Sequence, residues 1–156
     1  MALDAKRIGL ISDTHGLLRS EAVEALSGSD LILHAGDVGR PEILQELRRI
    51  APVIAIRGNA DTAAWSHVLK EREVVETSVA TILMLHNLND LDLDPAAAGF
   101  QVVLSGHSHK PLRAQKDGVL YLTPGSAGPR RFHLPTTVAR LDLSVSPWSF
   151  QLIALG

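Results

Sequence analysis

Two pairs of metal-ligating side chains stand two residues apart in this chain: Asp13-Thr14-His15 and His107-Ser108-His109. Three further polar positions, Gly36-Asp37, Gly58-Asn59 and His86-Asn87, fall at comparable places. Each of the five follows a short apolar run of β character, so each sits where a strand ends. In an extended segment, residues i and i+2 project to the same side. Each pair can therefore aim two ligand atoms at one point or at two adjacent points. The inventory is two carboxylates (Asp13, Asp37), one amide (Asn59) and four imidazoles (His15, His86, His107, His109). Such donors suit divalent ions of borderline character: Mn²⁺, Fe²⁺, Co²⁺, Ni²⁺ or Zn²⁺. Seven donors are too many for one tetrahedral site and suit two ions that share a carboxylate. Two ions about 3.5–4 Å apart can clamp an in-line displacement and acidify a bound water. Even with two carboxylates and a hydroxide between them, such a site stays net positive and attracts an anionic phosphate ester.

Taken singly, each piece has a plainer reading. Asp13-Thr14-His15 also reads as a helix cap or an Asx-turn, and Gly36-Asp37 as an ordinary turn. Gly58-Asn59 also reads as a turn with Asn at positive φ, and His86 as a core histidine with satisfied hydrogen bonds. The weight lies in the set, because unrelated turns would not be expected to supply seven ligand-type side chains at five successive strand ends.

The elements that must position these residues can be read from periodicity and turn residues. Lys6–Ser12, Asp30–Leu33 and Pro52–Ile56 read as strands. Between them, Ser20–Leu26 reads as a helix with Ser20 as N-cap, and Pro41–Ile50 as a helix with Pro in its first turn. Ile43, Leu44, Leu47 and Ile50 form the apolar stripe of the second. This βαβαβ opening implies a parallel sheet with crossover helices. Six more strand candidates follow: Glu73–Thr77, Thr81–Leu85, Val102–Leu104, Val119–Leu122, Thr137–Leu143 and Phe150–Leu155. Ala96–Ala98 suits a short helix, and Trp65–Glu71 is ambiguous. In open α/β sheets, ligands bind outside the carboxyl ends of the strands. Nine strands and few helices suggest two stacked sheets with helices outside.

Composition narrows the function classes. A chain of 156 residues with 46% hydrophobic and 21% charged residues is expected to form one globular domain spanning 1–156. Fifteen Lys and Arg against 17 Asp and Glu leave a net charge of −2, which lacks the basic footprint of sequence-independent nucleic-acid binding. The absence of Cys excludes a disulfide framework, a thiolate zinc site and a Cys nucleophile. The run Ile8-Gly9-Leu10-Ile11 after Lys6-Arg7 is too short for a secretory signal, and no run approaches a membrane span. The expectation is a cytoplasmic protein without a membrane partner, with a homo-oligomer left open. Asp90, Asp92 and Asp94 lack the Gly and closing Glu of a calcium loop and read as a solvated loop. His67 and His133 read as surface residues, His34 as structural near the site, and Arg130-Arg131 as a solvated basic pair that could also meet substrate phosphate.

In this order, Asp13-Thr-His15, Gly36-Asp37, Gly58-Asn59, His86 and Gly106-His107-Ser-His109 resemble the five motifs of the calcineurin-like metallophosphoesterases. The short length, Pro124-Gly125-Ser126 and Pro129-Arg130 resemble its small, single-domain, YfcE-type phosphodiesterase branch. The resemblance runs from about Ile8 to Arg131. It implies an α/β fold: a four-layer α-β-β-α sandwich of two mixed sheets with helices on both outer faces. It further implies one metal on Asp13, His15, Asp37 and His109, and a second on Asp37, Asn59, His86 and His107, with Asp37 bridging. The cofactor expected is a pair of divalent ions, Mn²⁺ first and Fe, Co, Ni or Zn as alternatives. The activity expected is hydrolysis of a small-molecule phosphodiester by a metal-bridging hydroxide, with Asp37 and Asn59 in the catalytic centre.

Two departures bear on mechanism. Many members carry a His after the motif Asn as general acid, and the small branch often has Cys there, followed by Asp. This chain has Ala60 and then Asp61, so Asp61 is the candidate substitute acid. His86 is followed by Asn87, where the family usually has Gly after a Gly-His pair. Rival readings are a non-catalytic protein-binding module (the superfamily includes a retromer-subunit relative), a nucleotidase or dinucleotide polyphosphate hydrolase, and a mononuclear metal sensor.

Overall fold

Strands buried on both faces tend to be apolar along their whole length, and the runs Leu31-Ile32-Leu33 and Val102-Val103-Leu104 follow that rule. The computed structural model describes residues 2–156. Along the chain run β1 (Arg7–Ile11), β2 (Leu31–His34), β3 (Val53–Ala55), β4 (Arg72–Glu76), β5 (Thr81–Leu85), β6 (Val102–Leu104), β7 (Leu112–Lys116), β8 (Val119–Thr123), β9 (Thr137–Asp142) and β10 (Ser149–Ala154). They form two mixed sheets of five, ordered β10-β9-β1-β2-β3 and β4-β5-β6-β8-β7. In the first, β1, β2 and β3 run parallel, with Leu10 opposite Leu33 and Leu33 opposite Ile54. In the second, β5, β6 and β8 run parallel, with antiparallel β4 and β7 at the edges.

The period-two alternation of side chains sorts the core into layers. Ile8, Leu10, Leu31 and Leu33 of the first sheet meet Ile82, Met84, Val102 and Leu104 of the second. The opposite faces of the same strands carry Ile11 and Ile32 outward to the helices, and Leu83, Leu85 and Val103 outward on the other side. Helices α1 (Ser20–Ala25) and α2 (Pro41–Arg48) cover the first sheet. Over the second sheet the outer layer is thin: Leu88, Leu91 and Phe100 pack on it from the connection between β5 and β6. That connection holds one 3-10 turn, Leu88–Asp90, and a hydrogen-bonded turn over 95–99 where a short helix at Ala96–Ala98 was expected.

Two local expectations need correction, and one ambiguous segment is resolved. Arg19, not Ser20, is the N-cap of α1; Ser20 begins the helix, and its hydroxyl is drawn to Glu21 Oε1 at 2.6 Å. Helix α2 does start on Pro41, but it stops at Arg48, so Ile50 joins the same apolar cluster from the following turn. The segment Trp65–Glu71 contributes to a 3-10 helix over Ala64–Val68. Strand β7 had no expectation because all five of its residues are exposed, leaving no apolar alternation to read. Its signal was the turn: Asp117 and Gly118 form a two-residue hairpin loop with φ of 53° and 78°, the left-handed pair a type I′ turn demands. No helix among the described residues is long and apolar enough to cross a membrane.

Candidate metal centre

Carboxyl ends of strands from both sheets meet at one edge of the sandwich. β1 delivers Asp13 and His15, β2 delivers Asp37, and β3 delivers Asn59. From the second sheet, β5 delivers His86 and β6 delivers His107 and His109. Two groups of ligand atoms result, each with its members within 4.8 Å of one another: Asp13, His15 and His109, and Asp37, His86 and His107. Asp37 lies between them, its Oδ2 3.6 Å from His15 Nε2 and 3.1 Å from His86 Nε2. Asn59 Oδ1 stands 3.2 Å from His107 Nδ1. The rings of His15 and His109 stack at 5.4 Å, and those of His86 and His107 meet edge to face at 5.3 Å. All seven sequence-derived candidates therefore gather here.

The backbone that places them is not extended, contrary to the i, i+2 argument. Asp13, His15, Asp37, His107 and His109 all have positive φ, between 46° and 71°. Beyond the last ladder bond each chain coils into left-handed turns, and it is these turns that aim the side chains. The left-handed region costs a non-glycine residue roughly 1–2 kcal/mol. Only two other non-glycine residues of the described chain pay it, so strain concentrates at this site, as it does at functional sites generally. Two glycines leave the space the ligands fill. A Cβ on Gly106 would strike Ser12 Oγ and lie 2.8 Å from Asp13 Oδ2. A Cβ on Gly58 would overlap the Asp37 main-chain nitrogen and Oδ1.

Neighbouring donors hold each carboxylate so that one oxygen remains for a cation. Asp13 Oδ2 accepts from Ser12 Oγ at 2.6 Å and from the His107 amide at 3.1 Å. Asp37 Oδ1 accepts from the Ala60 amide at 2.9 Å. His86 Nδ1 donates to Ala35 O at 2.7 Å, which leaves the Nε2 lone pair facing the Asp37 carboxylate. Two acceptors facing each other need a proton or a cation between them. Burial opposes the His86 imidazolium, but Asp37 and Ala35 O outweigh it and shift the pKa up. Burial likewise opposes ionised Asp37, yet His86 and the Ala60 amide hold its carboxyl down to about 2. Burial dominates at Asp13 and raises it. His109 is shifted down, first by burial.

The donor set also fits metal ions by what it leaves unpaired. Asp13 Oδ1, His15 Nε2, His86 Nε2 and His109 Nδ1 are buried without a hydrogen-bond partner. A buried polar atom left unsatisfied costs about 1–3 kcal/mol, and three of these converge: His15 Nε2 and His86 Nε2 each lie 3.8 Å from Asp13 Oδ1, the pattern that bound cations relieve.

Three residues near the site hold its loops in place, and His34 does so as its structural reading expected. His34, wholly buried, takes the Gly36 amide hydrogen on Nδ1 at 3.2 Å, so its own hydrogen sits on Nε2 and goes to Thr14 Oγ1 at 3.0 Å. Thr14 in turn donates to Val38 O at 2.8 Å. This chain ties the loop after β1 to the loop after β2, and burial pushes the His34 pKa down to about 3. Asp61 has both oxygens occupied: Oδ2 accepts from the Val38 and Gly58 amides and Oδ1 from Gly39. It faces main-chain donors as an acceptor, the opposite of what the substitute-acid role asks. The functional part of Ala60 is its amide, invisible to any reading of side chains. His67, His133, Arg130 and Arg131 are exposed.

A two-sheet sandwich with a ligand cluster at the carboxyl ends of its parallel strands is the arrangement of a metal-dependent hydrolase. The model of the calcineurin-like phosphoesterase superfamily domain matches residues 7–146, and the chain belongs to that family. It is 34% identical over 151 residues to a probable metallophosphoesterase of Methanothermobacter thermautotrophicus, covering 86% of each chain. It is 28% identical over 164 residues to the phosphodiesterase YfcE of Escherichia coli K12, again covering 86% of each. Vps29 from Chaetomium thermophilum shares the fold at 15% identity, with a TM-score of 0.77 and 97% of each chain covered.

Proposed function

We propose that this chain is a phosphodiesterase acting on a small-molecule phosphoester through two divalent ions. One group of ligands would be Asp13, His15, Asp37 and His109, the other Asp37, Asn59, His86 and His107. The observation that carries the reading is Asp37 Oδ2, placed between two imidazole groups whose facing atoms lack partners. Bound there, the ions would supply an acidified water as nucleophile and positive charge for the phosphoryl oxygens. The protein's own part is to fix the geometry. Ser12 and the His107 amide orient Asp13, the Ala60 amide orients Asp37, and Ala35 O sets the His86 tautomer. Imidazole and carboxylate donors suit Mn²⁺, with Fe, Co, Ni and Zn as alternatives.

Ala60 offers no proton to the leaving group, and the Asp61 oxygens are engaged by three amides. General acid catalysis typically contributes ~10²–10⁴-fold, so esters with poor leaving groups should lose most. The reading is tested by titrating metal into purified protein and assaying an aryl phosphodiester beside alkyl monoesters, nucleotides and dinucleotide polyphosphates. Two ions per chain and metal-dependent turnover of the aryl diester support it. Fewer than two ions overturns the two-ion site. Preference for nucleotides or dinucleotide polyphosphates assigns the nucleotidase reading instead. Ala60 favours one further reading, a protein-binding module on the same fold, and metal binding without turnover of any ester would select it.

A further inference from the structure

Beside the second ligand group lies a groove of about 290 Å³, bounded on one side by Asn59, His86 and His107. Its remaining ionisable lining residues are Arg57, Glu71, Arg72 and Asp90. Beyond the ligand side chains, a leaving group departing into this groove therefore faces two guanidinium and two carboxylate side chains. Of the two cations, Arg72 is engaged: its guanidinium contacts Asp92 Oδ1 at 2.7 Å and Asp90 O at 2.5 Å. Arg57 is different. Among the described residues its single side-chain partner is Glu71 at 3.1 Å, and the Glu71 side chain is 77% exposed. A surface ion pair of this kind is worth about 0.2–1 kcal/mol, so Arg57 can exchange Glu71 for a substrate oxygen at little cost. Its backbone is well anchored: the Arg57 amide donates to Lys70 O at 2.8 Å, and Gly58 next along abuts Asp37.

We propose that Arg57 is a catalytic residue that stabilises the negative charge developing on the leaving oxygen, in the groove beside Asn59, His86 and His107. It does so by charge and hydrogen bonding, with no proton transferred from Arg57: an oxygen derived from water, its proton released to solvent, forms a new bond to phosphorus as the ester P–O bond breaks, the leaving oxygen keeps the electron pair as an oxyanion beside the guanidinium, and solvent protonates it afterwards. A guanidinium remains charged across the working range, which makes it a substitute for a titrating acid where Ala60 leaves none. The inference rests on the proposed phosphodiesterase activity.

The test is a leaving-group series of aryl phosphodiesters, assayed on the metal-loaded protein as wild type and as Arg57→Gln, Arg57→Lys and Glu71→Gln. Removing one oxyanion donor costs about 10²–10³-fold elsewhere. Arg57→Gln should approach about 10²-fold loss for the poorest leaving groups and lose only a few-fold for nitrophenolates, steepening the dependence of kcat/KM on leaving-group pKa. Arg57→Lys, which keeps the charge, should recover part of it. Glu71→Gln frees the guanidinium and should raise kcat/KM by about 1.4–5-fold, the equivalent of the lost ion pair. A wild-type slope shared by all variants overturns the role of Arg57, as does a uniform loss across the series, which would mark a structural residue. No turnover of any diester by the metal-loaded wild type would instead overturn the proposed activity itself. Metal content measured on each variant separates loss of ions from loss of the oxyanion contact.

Discussion

His34 makes this protein's stability depend on pH in a way that can be worked out from its surroundings. The imidazole is wholly buried and must be neutral, with Nδ1 accepting from Gly36 and Nε2 donating to Thr14. Its pKa in the fold is about 3, against 6.5 in the unfolded chain. Between those values the unfolded state binds the extra proton, so stability rises with pH through that window. The contribution is complete above about 6.5 and is lost as pH falls. The slope is about 1.4 kcal/mol per pH unit, which gives about 2 kcal/mol between pH 6.5 and pH 5. The comparison is with His34→Gln, which cannot titrate. That variant loses hydrogen bonds at neutral pH, at about 1–3 kcal/mol, but its deficit should shrink on acidification at that slope. Urea unfolding followed by circular dichroism gives both curves, with excess chelator so that metal release adds no slope of its own. Groups common to both proteins drop out of the difference to first order. Parallel curves from pH 7.5 to pH 5 would refute the buried, neutral imidazole.

Two further outcomes follow from the site. Asp37→Asn should lower the affinity of both ion sites together, because one oxygen stands near His15 and His86 alike; calorimetric titration showing one site untouched would contradict the shared ligand. Gly58→Ala places a methyl where Asp37 sits, so metal affinity should fall by at least about tenfold, in line with the effect of disturbing the groups that orient a ligand, and an unchanged titration would show that the loop yields freely.

The candidate ligands were legible because side-chain type and order survive folding: seven donors at five strand ends stayed together in space. The strands of the inter-sheet core were legible for the related reason that burial on both faces forces unbroken apolar runs such as Leu31-Ile32-Leu33. What escaped was carried by backbone. The left-handed turns at Asp13, His15, Asp37, His107 and His109 replace the extended geometry expected; Asp and His tolerate positive φ better than most residues, but here that faint signal coincided with their reading as ligands. The Ala60 amide and the three amides on Asp61 are equally silent in sequence, and Asp61 misled because a side chain matched to a family position was read without its partners. Strand β7 escaped because an exposed edge carries no periodic pattern, although Asp117-Gly118 marked its turn.

The first ligand group takes Asp13 and His15 from one sheet and His109 from the other, and the second takes Asp37 from one and His86 and His107 from the other. Neither group can keep its shape if the two layers slide. Cations held across that seam would act as rivets, and the seam would act on them as a strain gauge. Altering the inter-sheet core to which Leu10 and Met84 belong, well inside the sandwich, would then register at the rim as changed coordination, tying the chemistry of the rim to the interior of this small protein.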